Sequence, residues 1–360
     1  MKYLYNIILI FILQIYGQGM IYTQNLIPAN HPYIQYSGRW DMSDSLHPRQ
    51  SWPGVFIYSG FTGTRIGVRL DDNINYYNVY IDGKFHSVFH GDKAVEADYI
   101  LADSLTNTSH TFLFSKRNIS FNRVFTFSGL ILDQGAVLLA SPPKPSRKIE
   151  FIGDSFTAAE GNEARLAEMP WEEKFPVTNI DKGFAVDVAK YFNAQYVTTC
   201  RSGMGLVCDW QGNFDLAMPK YFDRTLMESK EPKWDFRLFQ ADLVVVCLGL
   251  NDHSGLKDKT GEVSEENSLK FRAGYHAFLA TIRNCYPAAK IIAVAAHDPW
   301  IQKNVKQVTE EEKNNGHNDI YYAQFNMPAG GFVANGHPTV ASHKEIAGEI
   351  IKVIEANKLF

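Results

Sequence analysis

Ser155, His337, Gly203 and Asn251 are the residues whose types and order could carry out acyl transfer. Ser155 closes Gly153-Asp154-Ser155, directly after the apolar run Ile149-Glu150-Phe151-Ile152. A serine hydroxyl needs a base to become nucleophilic near neutral pH, and histidine is suited to take its proton. His337, in Asn335-Gly336-His337-Pro338, is the candidate base. The tetrahedral intermediate needs donors aimed at its oxyanion, and three are available: the Ser155 amide, the Gly203 amide and the Asn251 side chain. Each such donor is worth roughly 3–4 kcal/mol by the protease example. Taken singly, every stretch has a plainer reading. Ser155 or Thr157 caps a helix, Asn251-Asp252 is a turn, His337-Pro338 is a loop, and Gly203 and Gly205 are turn glycines. The Ser155 stretch alone divides evenly between a capped helix and a nucleophile with a helix N-terminus behind it. Four stretches in this order, each at a predicted strand end, favour the chemistry.

The elements that must position these residues lie in the second half of the chain. Residues 148–153 predict a buried strand. Residues 184–192 predict a helix and 195–199 a second strand. Helical material is expected across 215–227. Asp242 to Gly249 is a continuous apolar run, as in a strand covered on both faces. Phe271, Tyr275, Phe278, Ile282 and Cys285 fall at helical spacing, residues 290–296 predict another strand, and Ile346, Ile350 and Val353 mark a last helix. Alternating strands and helices imply a mostly parallel sheet with helices on both sides, whose ligands bind at the carboxyl ends of the strands.

The first half reads differently. Short strand-like runs from about Tyr33 to Ala140, with the tight-hairpin signal Asp82-Gly83, predict antiparallel sheets packed as a sandwich or jelly roll. Ser141-Pro142-Pro143-Lys144-Pro145-Ser146 then breaks every pattern and marks a boundary. The predicted organisation is a signal peptide at 1–19, a β domain at 20–141, a linker at 142–147 and the α/β domain at 148–360. The signal rests on Lys2, the apolar residues 7–15 and the small residues Gly17 and Gly19, the alternative being a membrane anchor. A formal charge of -4 without blocks of like charge gives no footprint for nucleic acid. Four cysteines in 360 residues are not a disulfide scaffold, Cys200 and Cys208 are left open as a pair, and nothing has metal-ligand spacing.

Gly153-Asp154-Ser155, Gly203, Gly249-Leu250-Asn251-Asp252 and His337-Pro338 resemble the four blocks of the SGNH (GDSL-type) hydrolase superfamily. The longer stretch Gly153 to Glu163, with Tyr36-Ser37-Gly38-Arg39-Trp40 upstream, resembles carbohydrate esterase family 2. That resemblance implies an N-terminal jelly roll followed by an α/β/α SGNH domain with a mostly parallel sheet. It also implies removal of acetyl groups from plant polysaccharides such as xylan and glucomannan. Ser155 would be nucleophile, His337 base, and Gly203 and Asn251 oxyanion donors. The implied partner is an acetylated poly- or oligosaccharide, with no cofactor or metal, no nucleic acid and no stable membrane association, and the protein acting as a monomer.

Two positions depart from the pattern. The superfamily's aspartate two residues before the histidine is here Asn335, which cannot stabilise an imidazolium by charge. The resemblance allows a Ser-His dyad with a backbone carbonyl orienting the ring, leaving Asn335 as an orienting group at most. Gly336 stands where the family often has a sugar-clamping tryptophan, so Trp210 and Trp300 become candidate substrate contacts. His343 is expected on the last helix in a structural role. The alternatives are another SGNH esterase, lipase or thioesterase, or a non-catalytic glycan-binding protein.

Overall fold

The computed structural model describes residues 24–360, so the predicted signal peptide lies outside the described residues. Residues 24–139 build a jelly-roll sandwich of two antiparallel sheets. One contains Gln24–Pro28, Arg49–Gln50, Ile66–Asp71, Ala97–Ala102 and Phe125–Asp133; the other contains Gln35–Ser37, Phe56–Gly63, Tyr76–Ile81, Lys84–His90, Thr108–Lys116 and Leu138–Leu139. Alternation sets the inner faces: Ile66, Val68 and Leu70 are fully buried, as are Phe127 on the neighbouring strand of the same sheet and Phe112 in the facing sheet. Asp82 and Gly83 have φ of 52° and 71° and close the hairpin between Tyr76–Ile81 and Lys84–His90, the left-handed pair that a two-residue hairpin requires.

The second half is an α/β/α layer structure. Its five-stranded parallel sheet runs in the order Ala194–Cys200, Arg147–Gly153, Leu243–Cys247, Lys290–Ala295, Ile320–Gln324. Helix Phe184–Tyr191 packs on the last helix, Val340–Ala356, and Glu265–Cys285 packs on Pro299–Asn314. The chain order of the strands is thus 2-1-3-4-5. In such a sheet the crevice opens where the order reverses, between strands one and three. Ser155 follows the first of these and Asn251 the third.

Two local expectations are corrected, and two elements are added. No helix follows the Ser155 turn: residues 154–164 form successive turns, with Ala159 and Gly161 at φ of 54° and 63°, which no right-handed helix can contain. Across 215–227 only a short 3₁₀ turn, Met218–Lys220, forms; Pro219 and a bond from Met218 N to Gly205 O tie this stretch into loop structure. The polar helix Pro299–Asn314 and the strand Ile320–Gln324 are additional elements.

The two halves meet across a buried ion pair. Arg39, from Tyr36-Ser37-Gly38-Arg39-Trp40, donates to Glu150 Oε1 at 2.7 Å, both side chains being 0% exposed. Arg39 also donates to the carbonyls of Phe222 and Arg224, among the rings of Trp52, Phe222, Trp234 and Phe236. Thr199 and Tyr286 donate to the Glu150 carboxylate. A buried pair is tolerated only when its remaining hydrogen-bonding capacity is met, and here nearly all of it is. Cys200, Cys208 and Cys247 are buried free thiols, and Cys285 is free and half-buried, so Cys200 and Cys208 are not bridged.

Candidate active site

Ser155 sits at the carboxyl end of the first parallel strand, 8% exposed. Glycine is required just before it: a Cβ on Gly153 would lie 2.0 Å from Thr157 Oγ1 and 2.9 Å from the Cys247 carbonyl. Asp154 points inward, accepting from Phe156 N at 3.0 Å and from Asn251 Nδ2 at 3.1 Å. Burial pushes its carboxyl up to about 7. No helix stands behind Ser155, so no helix dipole is available at this turn.

Gly203 lies in a loop held from below by Asp252. The buried Asp252 carboxylate accepts from Leu206 N at 2.8 Å and Val207 N at 2.7 Å, and burial pushes it up to about 6. Gly205 must lack a side chain, because its Cβ would fall 2.5 Å from Asp252 Oδ2. Gly203 itself has φ of 76°. Asn251, in the short helix Leu250–Gly255, directs its amide at Asp154 and, at 3.0 Å, at the Met204 carbonyl.

His337 opens the short strand His337–Pro338, paired with Phe332–Val333. The three residues of the intervening turn, Ala334, Asn335 and Gly336, all have left-handed φ: 46°, 67° and 85°. That turn folds the Ala334 carbonyl back to within 2.6 Å of His337 Nδ1. A carbonyl only accepts, so Nδ1 carries the proton and Nε2 holds the lone pair. The Asn335 side chain is directed elsewhere, accepting from Met169 N at 3.2 Å. The turn is tied down by Ala334 N to Leu166 O at 2.8 Å and Asn335 N to Ala167 O at 2.6 Å. The partner of His337 Nδ1 is therefore a backbone carbonyl, that of Ala334, and not the Asn335 side chain.

Trp210 packs beside the Gly203 loop, its N donating to Gly203 O at 3.1 Å, and its ring is 56% exposed. Trp300 is engaged in packing: its Nε1 donates to Ser268 Oγ at 2.9 Å, and its ring stacks on His253 and meets Phe271. His343 is fully buried behind the site, and burial drops it to about 3. Two nearby charged residues escaped the sequence reading. Glu160 Oε1 lies 3.6 Å from His337 Nε2, and the same oxygen is 2.7 Å from Lys174 Nζ. The sequence signal for Glu160 is its place inside the stretch Gly153 to Glu163, five residues after the serine. Among the described residues, no group of three or more His, Cys, Asp or Glu side chains is placed to hold a metal ion.

Comparison with known proteins places this architecture. Residues 36–142 match the family model described as carbohydrate esterase 2 N-terminal. The chain is 28% identical over 340 residues to the cellulase/esterase CelE of Acetivibrio thermocellus, covering 92% of this chain and 40% of that protein. It is 27% identical to an acetylxylan esterase / glucomannan deacetylase of Cellvibrio japonicus, covering 92% of this chain and 88% of the relative. The chain thus spans less than half of CelE and most of the Cellvibrio protein. Among solved structures, a family two carbohydrate esterase from Clostridium thermocellum, in complex with cellohexaose, superposes with a TM-score of 0.82 at 25% identity, over 91% of this chain and 100% of that one. With the sandwich, the 2-1-3-4-5 sheet and the Ser155, Gly203 and Asn251 strand ends in place, the chain carries a domain that matches the carbohydrate esterase 2 N-terminal model and is similar over nine-tenths of its length to carbohydrate esterases of family 2.

Proposed function

We propose that the protein is a secreted carbohydrate esterase that removes O-acetyl groups from plant polysaccharides or oligosaccharides such as xylan and glucomannan. Ser155 and His337 work as a dyad. The observation that carries this reading is the 2.6 Å contact between His337 Nδ1 and the Ala334 carbonyl, which sets the tautomer in which Nε2 accepts a proton. Ser155 Oγ attacks the acetyl carbonyl carbon while Nε2 takes its proton, and the carbonyl electron pair moves onto oxygen. The Ser155 and Gly203 amides and an Asn251 N–H, shared with Met204 O, receive that oxyanion. Collapse expels the sugar oxygen, which takes the proton from Nε2, and water then releases acetate from the acyl-enzyme by the same steps. An ester asks less of the base than an amide, so a backbone dipole suffices where the protease triad uses a carboxylate.

The relatives' activities, acetylxylan esterase and glucomannan deacetylase, support an acetylated saccharide as partner. Trp210, exposed beside the Gly203 loop, offers a ring face for a sugar. Export rests on the leader expected at 1–19, and no described helix is long and apolar enough to cross a membrane. The protein is expected to act as a monomer. The test is acetate release from acetylated xylan and glucomannan with Ser155→Ala as control. Equal release by both proteins refutes the reading, and faster turnover of long-chain than of acetyl nitrophenyl esters moves it to a lipase.

A further inference from the structure

His337 has a charged neighbour on its working side. Glu160 Oε1 stands 3.6 Å from Nε2 and 2.7 Å from Lys174 Nζ, and the Glu160 and Lys174 side chains are 3% and 9% exposed. The second oxygen, Oε2, is buried without a hydrogen-bond partner. A buried polar atom left without a partner costs the fold free energy, and such an atom calls for a reason in what the site does.

The backbone has been shaped to bring it there. Ala159 and Gly161, both left-handed, turn the chain on either side of Glu160. Glu160 N donates to Ser155 O at 3.0 Å, which ties it to the nucleophile's own peptide. A Cβ on Gly161 would fall 2.4 Å from Ala334 Cβ, so this turn and the turn that orients His337 touch at their closest approach. Gly161 N donates to Thr178 Oγ1 and Thr178 Oγ1 donates to Lys174 O, both at 2.8 Å, which ties the Lys174 backbone to the same turn. Nucleophile, base, Glu160 and Lys174 therefore form one connected unit.

We propose that Glu160 is a positioning residue for His337: it supplies from the Nε2 side the negative charge that Asn335 does not supply from the Nδ1 side, and Lys174 sets how much of that charge the ring feels. This rests on the esterase reading for its catalytic meaning, but not for its electrostatics. As the Ser155 proton passes to Nε2, the ring becomes a cation beside a carboxylate. The contact is weakly unfavourable to the Nε2 lone pair and favourable to the imidazolium, so it lowers the transition state more than the ground state. At 3.6 Å it is an ion contact and not a hydrogen bond, which leaves the new N–H free to serve Ser155 and the leaving oxygen. The other titratable groups around the ring are Asp154 beside the nucleophile, His343 on the last helix and His297 across Phe156 and Phe332. Among the described residues, Glu160 is the one carboxylate paired with His337.

The experiment compares wild type, Glu160→Gln, Lys174→Gln and the double variant. It reads the pH dependence of kcat/KM on p-nitrophenyl acetate, an NMR titration of the His337 ring, and thermal melting. With Glu160→Gln, kcat falls about tenfold at unchanged KM, and both the acid limb and the ring titration move about one pH unit lower, since an opposite charge at this range favours the protonated ring. With Lys174→Gln they move the other way, and the double variant lies above Glu160→Gln. If Lys174→Gln does not fold, the comparison of Glu160→Gln with the double variant decides. Activity lost without movement of either curve, or movement in the same direction in both single variants, overturns the proposal in favour of a structural role. If Ser155→Ala keeps wild-type turnover the esterase reading fails, and the ring titration still decides whether Glu160 acts on His337.

Discussion

Asn335 stands where the superfamily places an aspartate, and replacing it tests the orientation of His337 most directly. In the serine-protease triad, changing the aspartate to asparagine costs about 10⁴ in turnover, because the wrong tautomer is stabilised. Here the ring is held by the Ala334 carbonyl at 2.6 Å, while Asn335 Oδ1 accepts only from Met169 N at 3.2 Å on an exposed part of the turn. Asn335→Ala thus loses one exposed hydrogen bond, worth about 1 kcal/mol at most. It also places alanine at φ of 67°, where asparagine is better tolerated, at about 1–2 kcal/mol. Stability should fall by about 2 kcal/mol, and kcat on p-nitrophenyl acetate should stay within about threefold of wild type. Asn335→Asp, which restores the usual residue, should also leave kcat within about threefold, because its carboxylate points at Met169 and not at the ring. The assay is steady-state kinetics on both variants with melting as control. A hundredfold loss in Asn335→Ala at unchanged stability, or a tenfold gain in Asn335→Asp, would refute the dyad.

Asn251→Ala should lower kcat by about 10²–10³ with little change in KM, as for loss of one oxyanion donor; a rise in KM alone would assign Asn251 to substrate binding. Gly161→Ala should cost about 2–4 kcal/mol of stability from overpacking and a left-handed alanine. It should also lower kcat by about 10²-fold, since the new methyl, 2.4 Å from Ala334 Cβ, displaces the turn that orients His337; kcat and melting both near wild type would disprove that contact. His343 sits buried with its folded value lowered to about 3, so the unfolded chain binds the extra proton. Stability must rise with pH from about 3 to about 6.5 and be lost as pH falls through that window. Between pH 7 and pH 4 this amounts to about 3 kcal/mol. His343→Gln should therefore flatten the acid side of the stability curve relative to wild type by about that amount, and parallel curves in denaturant titrations would contradict it.

What the sequence by itself determined are features encoded over a few consecutive residues. The largely apolar runs at 148–153, 242–249 and 290–296 became strands because a strand covered on both faces is mostly apolar, and that is visible without a partner, the buried Glu150 being the exception. The Asp82-Gly83 hairpin was legible because its left-handed conformation demands those residue types. Ser155, Gly203 and Asn251 were legible as residues at the ends of predicted strands, although only the sheet order 2-1-3-4-5 puts the Ser155 and Asn251 ends side by side, and His337 instead opens a short strand of a separate two-stranded sheet. The helix Pro299–Asn314 was missed because its buried face is broken by polar residues such as Asn304 and Thr309. What only the tertiary structure decided are contacts between backbone groups and distant charges. The turns after Ser155 depend on a left-handed Ala159, a residue whose type does not announce that conformation. The group behind His337 is a carbonyl, which every residue carries, so no residue type could have marked Ala334. Glu160 meets Lys174, 14 residues on, and His337, 177 residues on, through folded turns, separations at which charge sign is readable but distance is not.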